Sequence, residues 1–418
     1  MDDVARRLAA LSPEQRRLLE LRLKQHGLSS AGSQDSYAAP ASPQNDAVID
    51  EPSNRDEWKQ KPARRAINFS LYFFSDDGSQ TSDDKYRLLL ESAIFADAHG
   101  FAAVWTPERH FQDFGGLYPN PSVLSAALAV ITERAQIRAG SVALPLHHPI
   151  RAAEEWAVVD NLSKGRVGVS FASGWHPADF VLSPNNYDNR KQIMFDYIDK
   201  IKRLWSGEAV KFKGVGEDEV EVKILPRPVQ PSLPMWITTA GSLQTWIKAG
   251  EIGANILAAL VGYSLDDLAR RIAVYRDALA SNGHDVSRGQ VTIMAHTFVG
   301  ENNEDVKRRV KAPLCHYLRS YFNQFENFGF DADTVTDDDK HLIVEKAFEH
   351  YFNSSSLLGT HNKCARLIDR LIEAGVDEIA CLVDFGLDAD SVLASLRSLD
   401  DLRSHYAQAA SASKSDMF

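Results

Sequence analysis

From Ala66 onward the chain alternates between two hydrophobic textures. Compact apolar runs come first: "AINFSLYFFS", "FAAVWTPE", "IRAGSVALPL" and "RVGVSFAS". Between them lie stretches with helical punctuation: "DKYRLLLESAIFADAHG", which closes on Gly100, then "PSVLSAALAVITER", and "PIRAAEEWAVVDNLSKG", which opens on proline. The alternation continues through "PMWITTAG", "SLQTWIKAGEIG", "ANILAAL", "LDDLARRIAVYRDALASNG", "VTIMAHTFVG", a long helical stretch from Glu304, "DEIACLVDFG" and "DSVLASLRSLDDLRSHY". This makes eight strand candidates, each followed by helix. Strands that are nearly continuously apolar are buried on both faces, which means a parallel sheet. Eight such units over about 350 residues predict an α/β fold, a (β/α)8 TIM barrel with insertions, over residues 61–410. An open doubly wound sheet is the alternative. The missing Gly-x-Gly-x-x-Gly after the first strand counts against its dinucleotide-binding form.

Three regions depart from the alternation. "EAVKFKGVGEDEVEVKILPRPVQPSL" reads as a β-hairpin plus loop before the fifth strand. Pro313 to Leu358, between the seventh and eighth strands, is aromatic and helical, suited to covering the barrel mouth. Residues 1–27 read as a short helical segment in which Ser12-Pro13-Glu14-Gln15 forms a capping box. There Leu18, Leu19, Leu21 and Leu23 stand among Arg7, Arg16, Arg17, Arg22 and Lys24. Such a helix either packs on the main domain or docks on another protein. Residues 28–60 read as a flexible linker, rich in Ser, Ala and Pro over 28–52, and 411–418 as a disordered tail.

Composition narrows the class. With 44% hydrophobic and 25% charged residues the chain is ordinary globular material. A net charge of −11 and the lack of a basic run with interleaved aromatics point away from nucleic acid. No apolar stretch reaches the roughly 18–20 residues of a membrane helix, and the N-terminus lacks a signal-peptide core. Cys315, Cys364 and Cys381 are too widely spaced for a disulfide framework or zinc site, so a cytoplasmic protein with reduced thiols is expected.

A barrel of this kind places its chemistry at the C-terminal ends of its strands. Those ends carry Thr106-Pro107-Glu108-Arg109-His110, Leu144-Pro145-Leu146-His147-His148, Ala172-Ser173-Gly174-Trp175-His176, Thr239-Ala240-Gly241-Ser242, His296 and Asp384-Phe385-Gly386. Five histidines fall there: His110, His147, His148, His176 and His296. Their spacing matches no metal motif, and no Gly-x-Ser-x-Gly elbow is present. Anion binding fits better. Ala240-Gly241-Ser242 precedes a helix, whose N-terminal N–H groups attract phosphate. Ala172-Ser173-Gly174 is a second small-residue turn, flanked by Trp175 and His176, that lets a flat ligand approach the backbone.

These residues also carry a resemblance. "ALPLHHPIRAAEEWAVVDNLSKGRVGVSFASGW", "ERHFQDFGGLYPNP" and "LGTHNKCARLIDRLIEAGVDEI" resemble, in order and spacing, the bacterial luciferase-like flavin-dependent monooxygenases, over about residues 66 to 400. "FASGWHPADF", "TTAGSLQTWIKAGEIGANIL" and "HTFVG" are similar to a subgroup associated with nonribosomal peptide and polyketide assembly lines. The resemblance implies reduced FMN, supplied by a separate flavin reductase, which reacts with O2 in the barrel mouth and oxygenates a substrate.

By position, it implies a non-proline cis peptide at Gly140-Ser141 beneath the flavin, with Ala172, Ser173 and Gly174 beside it and the phosphate on Ala240, Gly241 and Ser242. Arg109, His110 and His176 are the implied catalytic side chains, and Glu108, His147, His148 and Trp175 the substrate-side ones. Ala172 and Ser173 stand where luciferase alpha subunits have Cys and Arg, and Arg109 where they have a proposed catalytic His. The luciferase mode of phosphate binding is therefore not expected, nor light emission from an aldehyde. The implied partners are an acyl or peptidyl carrier protein, the reductase, and a second copy of the chain in a homodimer; no metal is implied. A deazaflavin-dependent oxidoreductase of the same fold and a non-catalytic flavin-binding protein are the competing readings.

Overall fold

The computed structural model describes residues 66–74, 84–174, 176–216, 218–239, 241–260, 264–326 and 337–415. The 1–27 helix, the 28–60 linker, Trp175 and Ala240 lie outside them.

Eight parallel strands close into a barrel: β1 (Asn68–Phe73), β2 (Ala103–Thr106), β3 (Gln136–Ala143), β4 (Val167–Ala172), β7 (Met235–Thr239), β8 (Asn255–Ala259), β9 (Val291–Val299) and β11 (Glu378–Asp384). The circle shuts where β11 pairs β1, Asn68 opposite Glu378, so the open-sheet alternative falls. Helices α1 (Arg87–His99), α2 (Pro121–Ile131), α3 (Pro149–Ser163), α4 (Arg190–Ser206), α5 (Leu243–Glu251), α6 (Leu265–Ser281), α7 (Asn303–Glu326), α8 (Asp337–Ser354), α9 (His361–Ala374) and α10 (Ala389–Ser415) surround it. Their ends follow the sequence signals. Gly100 closes α1 in the left-handed conformation at φ 76°. Asn120 caps α2 by accepting from the N–H groups of Ser122 and Val123.

The hairpin is β5 (Val210–Lys213) with β6 (Glu219–Val222), antiparallel as expected. A short strand, β10 (Leu357–Gly359), was not foreseen: it adds in parallel to the end of β9, Leu357 opposite Thr297. Three residues give no period to read. Helix α10 continues through Ser415, past the boundary drawn at 410 for a disordered tail; the Ala/Ser-rich run simply prolongs the helix.

The core has two shells. Phe69, Leu71, Val104, Ile137, Val169, Ile237, Ile256 and Ile379 point outward into the helix layer. Tyr72, Trp105, Trp236, Leu257 and Leu382 fill the barrel. Below them the interior is polar. Arg138 Nη1 donates to both Glu378 oxygens at 2.8 and 2.9 Å. Ser70 donates to Glu378 at 2.6 Å and Gln290 Nε2 donates to the same carboxylate at 2.9 Å, while the guanidinium lies 4.3 Å from the Trp236 ring centroid and 4.8 Å from that of Trp105. The insertion of α7 and α8 has its own core, including Val310, Leu314, Phe348, Tyr351 and Phe352, set on Phe298 of β9 and Phe385 beyond β11.

Candidate active site

Parallel closure puts every strand's C-terminal end on one rim. At the end of β2 the chain turns sharply, with Phe111 at φ 57° and the Arg109 N–H donating to the Tyr118 carbonyl at 2.9 Å. The turn aims Glu108 inward, with its side chain fully buried. One carboxylate oxygen, Oε1, accepts from His110 Nε2 at 2.9 Å and from His147 Nε2 at 2.7 Å. The other accepts from the N–H of Ala143, the last residue of β3, at 2.8 Å. Burial opposes ionisation of Glu108, but these bonds outweigh it and hold its carboxyl below the usual range. For His147 burial favours the neutral ring, and the bond to Glu108 prevails, raising its pKa.

Beside this group lies a second. Arg109 Nη1 stands 3.5 Å from Asp179 Oδ2, and His176 Nδ1 stands 3.8 Å from Asp179 Oδ1. Asp179 sits on a 3-10 turn, Pro177–Leu182, just past the β4 end. Burial dominates all three, pushing the Asp179 carboxyl up and the Arg109 and His176 pKa values down. Asp179 also feels Glu108 and His110, so the two groups form one electrostatic unit.

The small-residue turns line the same rim. The Gly140–Ser141 peptide is cis. A Cβ on Gly140 would come within 2.8 Å of Tyr72 and 2.9 Å of Trp105, so no side chain fits there. Gly174 has φ 71°, a conformation that glycine favours. After β7, Gly241 leads into Ser242, the N-cap of α5, whose hydroxyl makes no capping bond. The first-turn N–H groups of α5 are thus not capped by that side chain. Thr239 Oγ1, buried just before this turn, has no hydrogen-bond partner among the described residues. Arg271 of α6 donates to the Gly241 carbonyl at 2.8 Å and to Asp267 at 3.1 Å, bringing a guanidinium to the turn. This set of N–H, hydroxyl and guanidinium donors suits a phosphate, and the small turns suit a flat ring.

The β1 and β9 ends are aromatic. Phe74, Phe114 and Tyr317 pack with centroids 4.7 to 6.3 Å apart. Tyr317 comes from α7, so the inserted segment does reach the rim. His296 is enclosed edge-on by Tyr317, Tyr351 and Phe385, and burial pushes its pKa down to about 3.

The structure therefore brings Glu108, Arg109, His110, His147 and His176 together. His148, expected on the substrate side, is the N-cap of α3, where Nδ1 accepts from the Ile150 N–H at 3.3 Å. The reason is local: a residue just before Pro149 is extended and becomes the cap. His296 lies apart in its aromatic cage. Asp179, Arg271, Phe114 and Tyr317 were missed. A carboxylate three residues beyond His176 was the one available signal for Asp179. Among the described residues no cluster of His, Cys, Asp or Glu is placed to hold a metal, and the three cysteines are free. No helix among them is long and apolar enough to cross a membrane.

The profile of the luciferase-like monooxygenases matches residues 67–378. The oxygenase component of a flavin-dependent trigonelline monooxygenase from Acinetobacter baylyi is 27% identical over 350 residues, covering 80% of this chain and 93% of that one. A monooxygenase of Streptomyces bottropensis superposes with a TM-score of 0.68 at 21% identity, over 80% of this chain and 98% of that one. The oxygenating constituent of 3,6-diketocamphane monooxygenase from Pseudomonas putida, a type II Baeyer–Villiger enzyme solved with FMN, superposes at 0.64 and 20% identity, over 82% and 98%.

Proposed function

The chain belongs to the luciferase-like monooxygenase family, and from that premise we propose that it is the oxygenase of a two-component system. Reduced FMN from a separate flavin reductase and O2 are its co-substrates. Its substrate is an intermediate of natural product biosynthesis, held on an acyl or peptidyl carrier protein. One arrangement carries this reading: the uncapped, arginine-backed turn at Gly241 and Ser242 shares a rim with the small turns at Gly140–Ser141 and Gly174 and with the Glu108 and Asp179 groups.

Bound there, reduced flavin would supply the electrons that activate O2. The chain's residues do the rest. Ser242 and the first turn of α5 hold the phosphate, with Arg271 in place of the arginine lacking at Ser173. Gly140, Ser141, Ala172, Ser173 and Gly174 let the ring lie against backbone. Phe74, Phe114 and Tyr317 exclude water. His110, Arg109 and His176 present polar groups to the reacting atoms.

The test supplies FMN, NADH, a flavin reductase and 18O2, with acyl and aminoacyl thioesters on a carrier protein as substrates. Product carrying one 18O supports the reading. Hydride transfer from a deazaflavin without O2 would replace it with the oxidoreductase alternative. Tight flavin binding without turnover would leave a flavin-binding protein.

A further inference from the structure

We propose that Glu108 is a positioning residue: it fixes His110 and His147 with a proton on Nε2, so that Nδ1 of His110 is the atom that takes up and returns a proton in the mouth. The proton-handling part rests on the oxygenase reading above.

An ionised carboxylate only accepts hydrogen bonds. Both Nε2 atoms lie within bonding distance of one oxygen, at 2.9 and 2.7 Å, so both must carry hydrogen. In a neutral ring this leaves Nδ1 bare. Neither Nδ1 bonds any described residue. Glu108 has no solvent to turn to, and the Ala143 N–H pins its second oxygen. The carboxylate can therefore neither rotate away nor exchange a histidine for water. His110 keeps 12% of its side chain exposed and His147 24%, so both rings reach toward the opening. The charges around the unit are Arg109 and Asp179 beside His110 and Glu155 of α3 beside His147.

The step moves one proton and no electrons. Neutral His110 accepts a proton at Nδ1 from a substrate O–H or N–H. The imidazolium keeps its Nε2–H on Glu108, and Nδ1 later returns the proton to product or water. A substrate with such a hydrogen next to the oxidised atom is the class this geometry serves.

Histidine-selective 15N NMR on the full-length apo protein reads the tautomers without flavin. In the expected wild-type spectrum the neutral form of His110 carries its hydrogen on Nε2, and His147 titrates above an ordinary imidazole. In Glu108→Gln the amide offers one acceptor and one donor, so at least one ring should shift toward Nδ1–H and the His147 midpoint should fall. Glu108→Asp keeps the charge and should restore part of that midpoint. In turnover, E108Q should lower kcat by about 100-fold, the scale of a lost general base, with KM and FMN affinity nearly unchanged and the pH profile displaced. An Nδ1–H tautomer at His110 in wild type overturns the proposal, and needs no variant to fold. So do unchanged rings in E108Q. If the tautomers are as expected but flavin and O2 give no product, the oxygenase reading fails and the proton-handling role falls with it, while the tautomer assignment stands.

Discussion

At the scale of single residues, two positions give separable expectations. Glu378 is fully buried and accepts from Arg138, Ser70 and Gln290. Removing one partner of a satisfied buried ion pair costs about 3–5 kcal/mol, whereas replacing both with apolar residues is often neutral. Glu378→Gln should therefore lower unfolding free energy by about 3 kcal/mol or more. The double variant Arg138→Met, Glu378→Leu should recover much of it, as read by guanidinium denaturation. Ser242→Asp acts with two signs. A carboxylate is a better N-cap than the unused serine hydroxyl, so apo stability should rise by up to about 1 kcal/mol. The same charge opposes a phosphate, so FMN affinity measured by fluorescence quenching should fall by at least about 10-fold, some 1.4 kcal/mol. An unchanged affinity would move the phosphate elsewhere. Side chains of this kind show where sequence reading stops. Arg138 and Glu378 are charges inside apolar runs that the sequence reading passed over, since which faces they share emerges only once the barrel closes. Asp179, Tyr317 and Arg271 reach the rim from separate segments, and no local spacing joins them.

At the scale of elements, the strand and helix order was legible because runs carried their own punctuation, such as Gly100 and Pro149. Strand β10 was not, since its three residues gain their conformation only from β9. Helices α2 and α3 add a different kind of information. Val123 and Val130 on α2 are 64% and 70% exposed, and Val158 and Leu162 on α3 are 43% and 45% exposed, on helices packed side by side. An apolar stripe of this kind fits an association surface; if the chain pairs with a second copy, this is the face we would assign to that contact. Val130→Lys with Leu162→Lys should halve the mass seen by light scattering at micromolar concentration while leaving the circular dichroism spectrum unchanged. A wild-type monomer would remove the assignment.

At the scale of the whole molecule, stability should depend on pH through two buried sites. Glu108 has a lowered carboxyl pKa, so its contribution is present above the ordinary carboxylate value and is lost as pH falls through the lowered one. His147 has a raised pKa, so its contribution is full below the ordinary imidazole value of about 6.5 and is lost as pH rises through the raised one. His296 is held neutral by burial, down to about 3, and so costs stability progressively as pH drops below about 6.5. Melting temperature against pH should form a dome whose acid side begins to fall near the ordinary histidine value. His296→Gln should flatten that early part. The alkaline shoulder should vanish in Glu108→Gln. The N-terminal segment belongs to this scale too. Deleting residues 1–52 should leave FMN binding intact, raise KM for carrier-bound substrate, and leave turnover of a free mimic unchanged. Loss of folding would show instead that the helix packs on the barrel.

The α7–α8 insertion leaves and rejoins the barrel at one place. It departs just after β9, returns as β10 on that same strand, and the Gly300 N–H donates to the Gly359 carbonyl at 3.0 Å. Its two roots therefore lie side by side. In evolutionary terms such a segment is a cassette. A lineage can lengthen, trim or exchange it without renegotiating any of the eight strands, and the aromatic wall that Tyr317 brings to the rim changes with it. The eight strands and the segment that brings Tyr317 to the rim are thus separable parts of one chain.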